Sequence, residues 1–170
     1  MRPTIHRGKI DPGEMRFALV VSRWNDFLTS RLQEGALDAF GSHNVPEDNV
    51  EIFMVPGSFE LPLTSKVVAE SGRFDAVVAL GVVIRGETSH FDHVAGGAAS
   101  GIQQAAMSTG IPVIFGVVTA NTLEQAIDRC GVKSGNKGFE AALAAIETAH
   151  LHKQIKNKEK GKDRAVPHVA

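Results

Sequence analysis

Residues 76–84, AVVALGVVI, carry no polar side chain. Nine such residues are too few to span a membrane, and their β-branched valines favour a strand covered by protein on both faces. A strand of that kind belongs in a parallel sheet, packed on each side by the helices that connect its strands. The rest of the chain supplies such a pattern. Met15 to Val21 (MRFALVV), Val50 to Val55 (VEIFMV) and Val113 to Val118 (VIFGVV) read as three further strands. Between them lie helical stretches. One follows SRWND, with Leu28, Leu32, Leu37 and Phe40 near one face; one is capped by Ser58 and runs through Leu63, Val67 and Val68 to Gly72; a third, rich in small residues, spans about 91–108. Two more, about 122–130 and 136–152, are separated by the glycine-bracketed GVKSGNKG. The expected fold is α/β: a three-layer α/β/α sandwich around a four-stranded parallel sheet, flavodoxin-like in type.

Charge and cysteine content narrow the setting. The 170 residues hold 18 Lys and Arg against 19 Asp and Glu, a net of −1. That balance excludes a body built to coat nucleic acid or an anionic membrane. The distribution is uneven: the stretch from Lys153 onward has six basic and two acidic residues, leaving 12 against 17 before it. The division expected is an N-terminal arm (1–14), one domain (15–152) and a basic, disordered tail (153–170). A single cysteine, Cys130, closes no intramolecular disulfide and suggests a reducing cytoplasm. The opening MRPTIHRGKIDPGEMR lacks the apolar core of a secretory signal.

In open parallel sheets, ligands sit beyond the carboxyl ends of the strands. The segments there are SRWND, PGSFE, RGETSH and the stretch after Val118. Gly86, Thr88 and Ser89 at a strand-to-helix junction are the parts of an anion site, or of a turn and a helix cap. The loop matches neither a P-loop nor a dinucleotide fingerprint. His90, at the same junction, titrates near neutrality and suits proton transfer. His90 and His93, three apart, are close enough on a helix to share a metal, but beyond Asp92 no nearby carboxylate has matching geometry, and no metal is expected. Trp24 lies in a polar loop, where it offers a stacking face or plugs a neighbouring contact. Glu60 starts a helix, where the dipole alone would favour it. Arg129 and Lys137 flank the glycine-rich break and suit an anion or solvent.

The order of these blocks is specific. SRWN, VPGSFELP, ALGVVIRGETSHFDHV, IPVIFGVVTANTLEQAIDR and GNKGFEAALAAIE together resemble the 6,7-dimethyl-8-ribityllumazine synthases of riboflavin biosynthesis, from about residue 15 to about 152. The resemblance implies condensation of 5-amino-6-ribitylaminouracil with 3,4-dihydroxy-2-butanone 4-phosphate, releasing phosphate and water, without cofactor or metal. It implies that Trp24 stacks on the pyrimidine where many members carry phenylalanine, with Asn25 lining the same pocket. Gly57, Ser58, Phe59 and Glu60 would hold the ribityl chain, and Val82, Val83 and Ile84 would offer backbone contacts to the pyrimidine. Gly86, Glu87 and Thr88 would form the phosphate loop, with Arg129 neutralising the phosphate. His90 would transfer protons. Lys137 and Glu140 would lie near the phosphate-bearing substrate, and Phe115 would form an apolar wall.

In the family, Phe115, Arg129 and Lys137 equivalents come from a neighbouring subunit, so the resemblance also implies a homopentamer with shared sites. The uninterrupted GVKSGN resembles members that pack pentamers into icosahedral shells, and riboflavin synthase is a further partner the family admits. Two alternatives differ in residues. A non-catalytic lumazine- or flavin-binding paralogue would keep Trp24 but need not keep His90 and Arg129. A receiver domain would need acidic residues where SRWND and RGETSH stand.

Overall fold

The structure, a computed structural model, describes residues 1–131 and 135–163, the side chains of 158–163 excepted. Four strands, β1 (Phe17–Ser22), β2 (Val50–Val55), β3 (Ala76–Ile84) and β4 (Val113–Ala120), form one sheet in the order β2-β1-β3-β4. All three pairings are parallel, with Phe17 opposite both Val50 and Ala76, and Val77 opposite Val113. The connecting helices are α1 (Asp26–Ser42), α2 (Leu61–Glu70), α3 (His90–Thr109), α4 (Leu123–Arg129) and α5 (Lys137–Asp163). The α/β, flavodoxin-like sandwich read from the alternating pattern is therefore the observed architecture.

Strand alternation divides the core in two. Phe17, Leu19 and Val21 of β1, with Ala76, Val78, Leu80 and Val82 of β3, pack under α1, α4 and α5. Their neighbours Ala18, Val20, Val77, Ala79 and Val83 pack under α2 and α3. On α1 the buried stripe is Leu28, Leu32, Ala36, Ala39 and Phe40, spaced by three and four residues. Leu37, expected on that stripe, is instead exposed, because it stands one residue, about 100° of helix turn, past Ala36 on the stripe. Ser58 does not cap α2. It opens a 3₁₀ turn, Ser58–Glu60, that intervenes between β2 and the helix, and it is buried.

Helix α5 buries small residues, Ala141, Ala142, Ala145 and Ala149, in the core shared with the sheet and α1. A Cβ added at Gly138 would run into the backbone carbonyl of Leu32. The helix continues to Asp163, past Lys153, where composition predicts the disordered tail. That expectation is corrected for 153–163: helix-forming Lys, Gln and Glu extend an already nucleated helix, and Lys153 pairs with Asp75 at 3.1 Å. Residues 164–170 lie outside the described residues.

Because the Leu32 backbone leaves no room for a Cβ at Gly138, Gly138→Ala is expected to destabilise the fold by about 1–3 kcal/mol through overpacking. Denaturant unfolding of the variant against the parent chain measures this directly.

Candidate active site

The carboxyl ends of β1, β2 and β3 open into one cleft of about 540 Å³. It lies where β1 and β3 are adjacent and their connections diverge, the place at which such sheets bind ligands. After β1, the chain turns sharply: Arg23 and Trp24 donate their N–H groups to the carbonyls of Val55 and Pro56, at 2.8 and 3.0 Å. Asn25 then takes a left-handed backbone conformation (φ 61°), which asparagine tolerates better than most residues. Its carbonyl accepts from Leu28 and Thr29 at the start of α1, and its Nδ2 donates to the Val82 carbonyl at 3.0 Å. Asn25 thus ties the β1 corner to β3.

Trp24 is 64% exposed, an unusual state for the residue, with its ring lying against Gly57. A Cβ at Gly57 would stand 2.5 Å from Trp24 Cε3, so glycine is needed for the ring to rest there. The Gly57 N–H donates to Glu60 Oε2 at 2.9 Å, which places the carboxylate at the head of the 3₁₀ turn. Phe59 is exposed and rests against Gly97 of α3. Beneath, Ser22 and Ser58 flank Gly81, and the buried Ser22 hydroxyl has no hydrogen-bond partner among the described residues.

The β3–α3 loop completes the wall with Gly86, Thr88 and His90. His90 is the first residue of α3, and its N–H donates to Thr88 Oγ1 at 3.4 Å. Asp92, in the first turn of α3, is held below the usual carboxylate range chiefly by hydrogen bonding from Arg85. Among the described residues, no group of three or more His, Cys, Asp or Glu is placed to hold a metal.

Of the residues singled out in the sequence, the cleft brings together Trp24, Asn25, Ser58, Phe59, Glu60, Val82, Val83, Ile84, Gly86, Thr88 and His90. Gly57 supports it from behind the Trp24 ring, and Glu87 is exposed outside the lining. Phe115, Arg129, Lys137 and Glu140 do not line it. Phe115 pairs with Ala79 in mid-strand and is exposed on the edge strand β4. Arg129 and Lys137 line a separate depression of about 430 Å³ with Thr119, Gln125 and Asp128. They also border an adjoining depression that includes Glu140, whose carboxylate pairs with the Lys137 ammonium.

Asn136 organises this second region, a role that its sequence position at a helix start only hints at. Its Oδ1 accepts from the N–H groups of Gly138 and Phe139, capping α5, at 2.8 and 3.2 Å. Its Nδ2 donates to the carbonyls of Arg31 and Cys130, at 2.8 and 3.2 Å. One amide thereby fixes the end of α4, with Arg129, to the start of α5, with Lys137. Cys130 itself is fully buried, and burial pushes its thiol up to about 11, so it is neutral and unreactive at neutral pH.

The family model described as 6,7-dimethyl-8-ribityllumazine synthase matches residues 14–153. The chain belongs to the 6,7-dimethyl-8-ribityllumazine synthase family. A 6,7-dimethyl-8-ribityllumazine synthase of Deinococcus radiodurans is 56% identical over 142 residues, covering 84% of this chain and 92% of its own length. One from Chloroherpeton thalassium is 51% identical over 148 residues, covering 87% and 96%. The family match, over residues 14–153, spans the strand ends that form the cleft and the α4–α5 region alike.

Replacing Asn136 with alanine removes the α5 cap and the two bonds that its Nδ2 makes to the Arg31 and Cys130 carbonyls. A loss of roughly 0.5–2 kcal/mol in unfolding free energy is expected from the cap alone, measurable by urea titration.

Proposed function

We propose that this chain is a 6,7-dimethyl-8-ribityllumazine synthase, condensing 5-amino-6-ribitylaminouracil with 3,4-dihydroxy-2-butanone 4-phosphate. The observation that carries this reading is the cleft itself, in which an aromatic face, a carboxylate, a glycine loop and a histidine converge at the strand ends of a family member. Trp24 offers a flat surface for a pyrimidine, and Glu60 offers an acceptor for ribityl hydroxyls. Gly86 and Thr88, at the start of α3, suit a phosphate through free N–H groups and the helix dipole. His90 stands where it would move protons during imine formation, phosphate loss and ring closure. Much of the acceleration then comes from holding an amine beside a ketone, since these react unaided.

The second depression gives the reading its quaternary form. Arg129 and Lys137 are the cations suited to a phosphate, yet in one chain they lie apart from His90. A site using all three needs His90 from one subunit and Arg129 with Lys137 from the next. Exposed apolar residues support such an interface: Leu63 and Val67 on α2, Met107 on α3 and Phe115 on β4 lie on the α2–α3 side of the sheet. The assembly proposed is a homopentamer. Packing of pentamers into an icosahedral shell is proposed from GVKSGN, of which 132–134 lie outside the described residues. Riboflavin synthase, which would consume the product, is the proposed partner, and the cytoplasm the proposed location. Among the described residues, no helix is long and apolar enough to cross a membrane.

Incubating the protein with both substrates and following lumazine absorbance against a protein-free blank tests the reading; no product above the blank defeats it. His90→Ala is expected to lower turnover by up to about 100-fold while assembly persists. A pH–rate profile unchanged by this substitution would remove His90 from the proton transfers. Arg129→Ala is expected to raise KM for the butanone phosphate by about 10- to 100-fold, the worth of a charge-assisted bond. The KM for the pyrimidine should change far less, and equal losses would make Arg129 structural.

A further inference from the structure

The six residues from Arg85 to His90 are all exposed, yet three of them line the cleft. An exposed loop keeps a binding geometry only if contacts from outside hold its backbone. Arg85 makes those contacts. Its Nη1 and Nη2 donate to the two oxygens of Asp92, at 3.3 and 2.9 Å, and its Nε donates to Asn121 Oδ1 at 3.0 Å. Its guanidinium lies over the Phe91 ring, 4.2 Å from the centroid. Its own N–H donates to the Ala120 carbonyl at 2.9 Å. Asn121 is fixed in turn, its N–H donating to Gln125 Oε1 at 2.9 Å in the first turn of α4. Among the described residues, the loop's other side-chain bond is the local one between Thr88 and His90.

A guanidinium beside an anion loop would ordinarily be read as an anion ligand. Here the fork is committed to Asp92, the ring face of Phe91 covers it, and Arg85 does not line the cleft. We propose that Arg85 is a positioning residue: by clamping the β3–α3 loop to Asp92 and Asn121, it holds Gly86, Thr88 and His90 in the arrangement that receives the phosphate-bearing substrate. This rests on the reaction proposed above. The clamp also sets a cation against Asp92 in the first turn of α3, so that the carboxylate stands paired beside the loop. Because Asn121 leads into α4, the same guanidinium connects the His90 region with the helix that ends in Arg129.

Arg73 provides a matched control. It pairs with both oxygens of Glu51 at 2.9 and 3.0 Å and lies over Phe74, 4.8 Å from the centroid, but it precedes β3, at the opposite end of the sheet. Exposed pairs of either kind stabilise little, so Arg85→Gln and Arg73→Gln are each expected to shift Tm by less than about 4 °C. Only Arg85→Gln should raise KM for the butanone phosphate, by about 10-fold, with KM for the pyrimidine little changed. Arg85→Lys restores the charge beside Asp92 but not the fork, and should recover part of the loss. Amide hydrogen exchange of 86–90 in the assembled, substrate-free protein should accelerate in Arg85→Gln and not in Arg73→Gln. Unchanged exchange in Arg85→Gln, equal losses for both substrates, or the same KM effect in Arg73→Gln would overturn the clamp. A parent protein that makes no lumazine would overturn the reaction instead, and the exchange measurement would still decide whether Arg85 orders the loop.

Discussion

Burial of β3 on both faces is the constraint from which the rest of the molecule follows. A strand with no solvent side must have a partner on each edge and a helical layer above and below, and here β1 and β4 flank it while α1 and α5 cover one face and α2 and α3 the other. Parallel pairing then forces every connection to return across the sheet, which gathers the carboxyl ends of all four strands at one edge. Four loops distant in sequence become neighbours for that reason alone. The chemistry of the cleft is a consequence of strand direction before it is a consequence of any single residue.

Periodicity exposes this much without coordinates. A run such as AVVALGVVI can be placed in a buried strand from composition, and the residues that follow it then fall at the binding edge. The same logic places Trp24, Glu60 and His90 on one side of the molecule, as found. What periodicity does not reveal is how these loops are held. The Asn136 side chain makes four hydrogen bonds that join Arg31, Cys130, Gly138 and Phe139, and two of those partners are distant or reversed in the chain. Asparagine before a helix announces a cap, but the two bonds from its Nδ2 exist only in three dimensions. Arg85 is hidden likewise, since Asn121 is 36 residues away.

Local misreadings have equally local causes. Ser58 has the right type and place for a cap, but the Gly57 N–H bond to Glu60 winds the chain into a 3₁₀ turn first and buries the serine instead. The basic segment after His152 has the composition of a solvated tail, but helix propagation through its first residues costs little once α5 is docked. The separation of Arg129 from His90 within one chain, which the resemblance implies, follows from the sheet order rather than from spacing along the sequence.

The Trp24 corner has one more consequence. The chain contains a single tryptophan and no tyrosine, so its indole signal has one source. That source stands largely in solvent at the mouth of the cleft, with only Gly57 allowing it to rest where it does. A flat heterocycle laid on such a ring changes its surroundings directly. Its emission is therefore an optical probe of that one corner, native to the sequence.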